Sequence, residues 1–204
     1  MLKENASVSD LSLKATSALA GALEDSRSGV SLEVLEGYTA AHIGARKGGQ
    51  DAVVSSFEQT YGFQLPVAGR MIAGASMSAV WAGPGLWLLF APNSDGRDLE
   101  QELRAKLGPV ASVADQSDAR LFVRVAGPSS RAMLAKLLPI DIHPNAFGPG
   151  SAAITHAAHI GVMVWRSDKP STPDCFILAC SRSYAQSFWH ALMEAAAEFG
   201  ASIG

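Results

Sequence analysis

The sequence predicts an α+β protein: two lobes of mainly antiparallel sheet with helices packed on one side, in a split-βαβ-like arrangement. Three observations carry this. Residues 40–115 read strand, helix, strand, strand, helix, strand. Residues from 121 onward begin a second pass with a strand and a helix. Gly108-Pro109 and Gly127-Pro128 punctuate the chain where the apolar period changes.

Taken in order, residues 1–10 are polar. Residues 11–23 place Leu11, Ala15, Ala18, Leu19, Ala22 and Leu23 on a narrow helical stripe, so residues 1–29 read as an N-terminal extension with a helix. Val30, Leu32 and Val34 alternate with Ser31 and Glu33, which opens a first lobe over residues 30–118 with a strand that has one wet face. A second strand covers residues 40–46. Gly48-Gly49 turns the chain, Asp51 is the expected N-cap, and Val53, Val54, Phe57 and Tyr61 share one helix face.

Residues 77–81 and 86–90 flank Ala82-Gly83-Pro84-Gly85, a hairpin signal. Leu99, Leu103 and Leu107 form the stripe of the next helix, which Gly108-Pro109 ends before a short strand at residues 110–113. The second lobe spans residues 119–204, forms one compact unit with the first, and joins it near residues 116–119. It runs through a strand at 121–125, a helix from Pro128 to Leu138, a loop, and strands near Ile154, at 160–165 and at 175–180. A last helix at about 183–199 has Ser181 or Ser183 as cap and Phe188, Leu192, Ala195 and Phe199 as its buried stripe.

The loop after Leu138 is the most constrained stretch. Pro139 ends the helix and Pro144 holds His143 in extended geometry. Alternation sends Ile140 and Ile142 one way, as anchors in the core between the lobes, and Asp141 and His143 the other, as ties to backbone groups or to a partner. An acid–imidazole pair with Ser151 would be a hydrolase constellation, but no Gly-x-Ser-x-Gly elbow surrounds that serine. No catalytic, cofactor-binding or metal-binding residue is assigned. The structural or interface candidates are Asp141, His143, Pro144 and Phe147 from this loop, with Trp81, Trp87 and Trp165 as core or interface anchors.

The remaining patterns read as structure. His156 and His159 stand three apart in a strand-to-strand turn with no third ligand at metal spacing. Gly83-Pro84-Gly85 and Gly148-Pro149-Gly150 lack a phosphate-loop pattern. Cys175 and Cys180 are five apart in one apolar segment, so a strand would point them to opposite faces, reduced and unbridged. A net charge of −3 with no basic run argues against nucleic acid as a partner. No apolar run reaches the roughly 20 residues of a membrane span. No signal-peptide core opens the chain, so the expected location is cytoplasmic. The 17% charged content is low enough to suggest a surface partly covered by a partner.

Several segments together resemble the gamma subunit of heterotetrameric sarcosine oxidase. They are LLPIDIHPNAF at 137–147, VWAGPGLWLLFAP at 80–92, VADQSDARLFVRVAGPSSRAMLAK at 113–136 and HIGVMVWR at 159–166. The resemblance covers most of residues 30–199; Gly85 departs from it, standing where the family often has an acidic residue. It implies a fold like the folate-binding domain of the glycine-cleavage aminomethyltransferase. It further implies a complex with alpha, beta and delta subunits that oxidises sarcosine to glycine with O2, forming H2O2 and 5,10-methylenetetrahydrofolate. The FAD, FMN, NAD and tetrahydrofolate of that complex would be held by the other subunits, this chain being a non-catalytic structural subunit. The alternative is a free-standing folate-binding or one-carbon-transfer protein of the same fold, with Asp115 or Asp141 as the acid that holds a pterin.

Overall fold

The computed structural model describes residues 19, 29–93, 96–167 and 174–203. Apart from Leu19, the helix expected over 11–23 lies outside the described residues. Among the described residues, eleven strands form two sheets. They are β1 (Val30–Val34), β2 (Tyr38–Ala45), β3 (Met71–Ala73), β4 (Ser78–Gly83), β5 (Leu86–Pro92), β6 (Ala111–Asp115), β7 (Arg120–Ala126), β8 (Ala152–Ala157), β9 (Ile160–Arg166), β10 (Phe176–Ser181) and β11 (Ala201–Ile203). The helices are α1 (Gln50–Tyr61), α2 (Leu99–Leu107), α3 (Ser130–Ala135) and α4 (Ala185–Ala196).

One sheet has the order β3-β4-β5-β2-β6 and the other β11-β1-β7-β10-β9-β8. The first is a split βαβ unit with an added edge strand: α1 leads from β2 to the β3–β4 pair, and β5 lies between β2 and β4. The second repeats it position by position, with β7, β10, β9 and β8 standing where β2, β5, β4 and β3 stand in the first. The repeat breaks at one edge. β6 pairs directly with β2, but β1 is inserted between β7 and β11. The strand read from sequence as the opening of the first lobe is therefore part of the second sheet. The pairing of β1 with β11 is parallel, the others antiparallel.

Alternation along each strand sends side chains into three apolar layers. Ala41, Ile43, Leu89 and Val113 meet Val53 and Phe57 of α1 and Leu99, Leu103 and Leu107 of α2. Leu32, Val123, Val125, Val164 and Leu178 meet Met133 and Leu134 of α3 and Phe188 and Leu192 of α4. Between the sheets lie Val80, Leu88, Phe90, Phe122, Met163 and Trp165. The architecture is helix, sheet, sheet, helix, with each sheet covered on both faces.

Local chemistry accounts for most boundaries and corrects several. Gly62 at φ 71° closes α1, its N–H bonding the Glu58 carbonyl. Gly49, not Asp51, is its N-cap; Asp51 sits in the first turn, where its charge faces the positive end of the helix. Asp98 caps α2 by accepting from the Gln101 N–H at 2.9 Å. α3 stops at Ala135 rather than Leu138: the chain tightens into i−3 turns, the Lys136 and Leu137 N–H groups donating to the Met133 and Leu134 carbonyls, before Pro139 ends it. α4 has no serine cap: a 3₁₀ turn, Arg182–Tyr184, leads into it and Tyr184 takes the cap position without a side-chain bond. The short strands β3 and β11 carry no sequence pattern of their own.

Ile142 and Phe147 are buried, but in the layer beneath α3 and α4, with Ile140 half-buried against it. They do not enter the core between the sheets, which the expectation for the two isoleucines placed them in. Ile142→Ala should therefore open a cavity under α3 and lower stability by about 2–5 kcal/mol in denaturant titration. Gly29 is a second sensitive point, since a Cβ there would lie 2.0 Å from the Phe199 carbonyl oxygen. Gly29→Ala should cost about 1–3 kcal/mol by pushing β1 off the α4–β11 connection, read as a lower melting temperature.

Candidate functional site

The proline-bounded loop is organised by its own backbone. The His143 N–H donates to Asp141 Oδ1 at 2.8 Å, and the Asn145 N–H donates to His143 Nδ1 at 3.3 Å. The Ala146 and Phe147 N–H groups donate to the His143 carbonyl at 2.9 and 2.8 Å. Asp141 and His143 are both exposed, and each spends a side-chain acceptor on a turn of its own segment. Pro144 begins that turn and Phe147 closes it, stacking on Phe176 at 6.3 Å between ring centroids.

Arg131 on α3, which sequence reasoning passed over, holds the loop in place. It donates to the Ile142 carbonyl and, at 3.4 Å, to the Phe147 carbonyl; it pairs with Asp174 at 2.7 Å and lies over the Phe176 ring at 5.0 Å. Asp174 also pairs with Arg166 at 3.3 Å. The Arg131 side chain is only 14% exposed, so its bonds to carbonyls and carboxylate are largely sheltered from water.

Ser151 does not join His143. Its Oγ accepts from Arg70 Nη1 at 3.4 Å, and its backbone bridges Arg70. His156 lies on β8 and His159 in the two-residue turn to β9, where Ala158 and His159 both have positive φ. Among the described residues no cluster of three or more His, Cys, Asp or Glu is placed to hold a metal.

Asp115 accepts from the Ser117 N–H and hydroxyl through Oδ1 at 3.0 and 2.7 Å, fixing the turn between β6 and β7. The two Gly-Pro-Gly loops do not fit a nucleotide phosphate. Gly150 spends its N–H on the Arg166 carbonyl and Ser151 on the Gly148 carbonyl, and the Gly83–Gly85 loop closes the β4–β5 hairpin with a bulge.

The tryptophans are mostly core. Trp165 packs between the sheets on Phe90 and Phe122. Trp87 is buried under α1 and α2, its indole N–H donating to the Pro66 carbonyl at 2.8 Å. Trp81, opposite it in the hairpin, is half-buried on the same layer.

The open polar surface lies instead at the two ends of the layer between the sheets. β7 faces that layer with Arg120, Phe122 and Arg124. Phe122 plugs the middle and each arginine reaches one end. At the Arg124 end a cavity of about 690 Å³ is lined by Tyr38, Phe90, Arg97 and Trp165. Its two arginines are neutralised, Arg124 by Glu33 at 2.6 Å and Arg97 by Glu102 at 2.9 Å. At the Arg120 end a groove of about 400 Å³ runs between His42 and Leu86 of one sheet and Ile154, His156 and Met163 of the other. Burial, then the Arg120 charge, lowers the His42 pKa; burial likewise lowers that of Arg120.

No helix among the described residues is long and apolar enough to cross a membrane. Two packed split-βαβ sheets flanked by helices place the chain in the fold class of the aminomethyltransferases. Aminomethyltransferase T of the glycine cleavage system from Bartonella henselae superposes with a TM-score of 0.63 at 13% identity, over 87% of this chain and 48% of that one, a likeness of fold alone. Within that class the chain belongs to the sarcosine oxidase gamma subunit family, whose profile matches residues 46–198.

The relatives agree. The sarcosine oxidase subunit gamma of Corynebacterium sp. (strain P-1) is 29% identical over 184 residues, 89% of this chain and 88% of the relative. That of Arthrobacter sp. is 34% identical over 135 residues, 65% and 66% of the two. A chain of the heterotetrameric sarcosine oxidase from Corynebacterium sp. U-96, solved in complex with pyrrole 2-carboxylate, matches with a TM-score of 0.73 at 28% identity, over 88% of this chain and 90% of that one.

The two cysteines are free and buried, and burial pushes the Cys180 thiol up to about 11, against a smaller opposing pull from Arg120. Native protein at pH 8 should leave Cys180 unalkylated over hours, while both thiols react at once in denaturant. A non-reducing peptide map should contain no Cys175–Cys180 disulfide.

Proposed function

We propose that this chain is the gamma subunit of a heterotetrameric sarcosine oxidase and serves it as a structural subunit without catalytic residues of its own. The reaction of the complex would be oxidation of sarcosine to glycine by O2, with H2O2 and 5,10-methylenetetrahydrofolate as products. Its partners would be the alpha, beta and delta subunits in the cytoplasm, and those subunits would hold the FAD, FMN, NAD and tetrahydrofolate. The observation that carries this reading is that the match to the Corynebacterium heterotetramer spans 90% of one of its chains, a whole subunit rather than a shared fragment.

The geometry supports the structural role. Asp141 and His143, the acid–imidazole pair of the proline-bounded loop, are committed to turning their own loop, and Ser151 is tied to Arg70 instead. A general base must reach the proton it takes, and neither side chain is aimed at a cavity shared with a nucleophile. What the chain offers is a four-layer body with helices on its two outer faces.

Co-expression with the other subunits tests this. Asp141→Ala and His143→Ala should assemble and turn over sarcosine within a few-fold of wild type per assembled complex. An intact complex that loses more than about 10²-fold in rate would fall in the range of general acid–base catalysis and overturn the structural reading.

A further inference from the structure

The groove at the Arg120 end differs from its counterpart in one respect that matters for binding. Arg124 and Arg97 have carboxylate partners, whereas among the described residues Arg120 pairs with no carboxylate and donates to a neutral group, Gln116 Oε1 at 3.3 Å. Among the described residues no Asp or Glu lines the groove, and the other titratable groups on its walls are His42 and His156. His42 Nε2 is buried with no hydrogen-bond partner. A half-buried cation without a counter-ion, beside an unsatisfied imidazole, is a costly arrangement that an arriving carboxylate would relieve. The remaining walls are mostly apolar, with Leu86, Val162 and Met163 beside Ile154, which is 52% exposed, and Thr155 as the polar exception.

The neighbouring strand adds a second observation. β8 is the outer strand of its sheet. At its start the two sheets are stitched together: the Ala152 N–H donates outward to the Gly69 carbonyl at 2.8 Å, and the Met71 N–H donates to the Gly150 carbonyl at 2.9 Å. By the period of two, the outward backbone groups beyond Ala152 belong to Ile154 and His156, and among the described residues no strand pairs with them. The open groove and the open edge are one continuous surface that begins where the stitch ends.

We propose that this surface docks an extended segment of a partner subunit, which places an acidic side chain on Arg120 and His42, an apolar side chain against Ile154, and its backbone along the free edge of β8. The occupant follows from charge complementarity and edge geometry together. An unpaired cation selects a carboxylate, and an unpaired strand edge selects a backbone. A small acid would use the first feature and leave the second, with Ile154, in water. This inference rests on the assembly reading above.

The experiment is co-expression of the full chain with the other subunits. Arg120→Glu should lower the affinity for the remaining complex by about 30-fold or more and sharply reduce recovery of the tetramer, with the melting temperature of the isolated chain unchanged. Lys106→Glu, the same charge change at an exposed site on α2, should assemble as wild type. Assembly should also slow amide exchange at residues 154 and 156 by at least tenfold. An Arg120→Glu chain that assembles with wild-type affinity, or unchanged exchange at 154 and 156 in the wild-type tetramer, overturns the proposal. If Arg120→Glu melts lower, Arg120→Gln decides by the same two readouts. Failure of the wild-type chain to assemble at all would instead overturn the assembly reading. Protection of Arg120 by a small carboxylate alone, with assembly indifferent to its charge, would identify a small-molecule site and also overturn the docking proposal.

Discussion

The contact on which the molecule depends is the face-to-face packing of its two sheets through Phe90, Phe122 and Trp165. Phe90 lies 5.9 Å from Phe122 and 5.3 Å from Trp165, ring centroid to ring centroid, and Trp165 is fully buried. Aromatic rings of this size fill the space of roughly 10 Å between stacked sheets and exclude water from it. Once that layer is closed, each sheet has only its other face for helices, and the order helix, sheet, sheet, helix follows. Among the described residues Arg120 and Arg124 flank Phe122 on β7 at the two ends of that layer, where these two cavities open.

The two halves obey the same topology but close differently. In the first, β6 takes the edge beside β2. In the second, the equivalent C-terminal strand β11 is displaced outward by β1. The insertion needs close backbone approach at one point: Gly29 donates to the Gly200 carbonyl at 3.0 Å, and Ser129 donates to the Gly29 carbonyl at 3.0 Å. Gly127, at φ 114°, belongs to the same junction, since a Cβ there would lie 2.7 Å from the Gly29 carbonyl oxygen. The start of β1 and the start of β11 are thereby held against the turn that precedes α3.

The loop between α3 and β8 shows how a chemically suggestive segment becomes structural. Asp, His and two prolines within a few residues resemble the makings of a site. Here the carboxylate and the imidazole cap a turn, while Arg131 satisfies the carbonyls that the prolines leave without ladder partners. The polar capacity of the loop is spent on its own fold. The unspent capacity is at Arg120 and His42, residues from different halves that no local pattern connects.

Local signals were sufficient for much of this. The period of two in β1, β7 and β9, the leucine stripe of α2, the hairpin at Gly83–Gly85 and the proline boundaries all act over a few residues, so the sequence alone determined the element types, the α+β class and the family resemblance. It also determined that Cys175 and Cys180 would not bridge, because residues five apart in an extended segment face opposite ways. What only the tertiary structure decided is everything set by pairing between distant segments. The membership of β1 in the second sheet, the existence of β3 and β11, the layer that receives Ile142, and the meeting of His42 with Arg120 each depend on register and packing across many residues. A strand records which of its faces is apolar, but not which strand will lie beside it or which sheet will cover it.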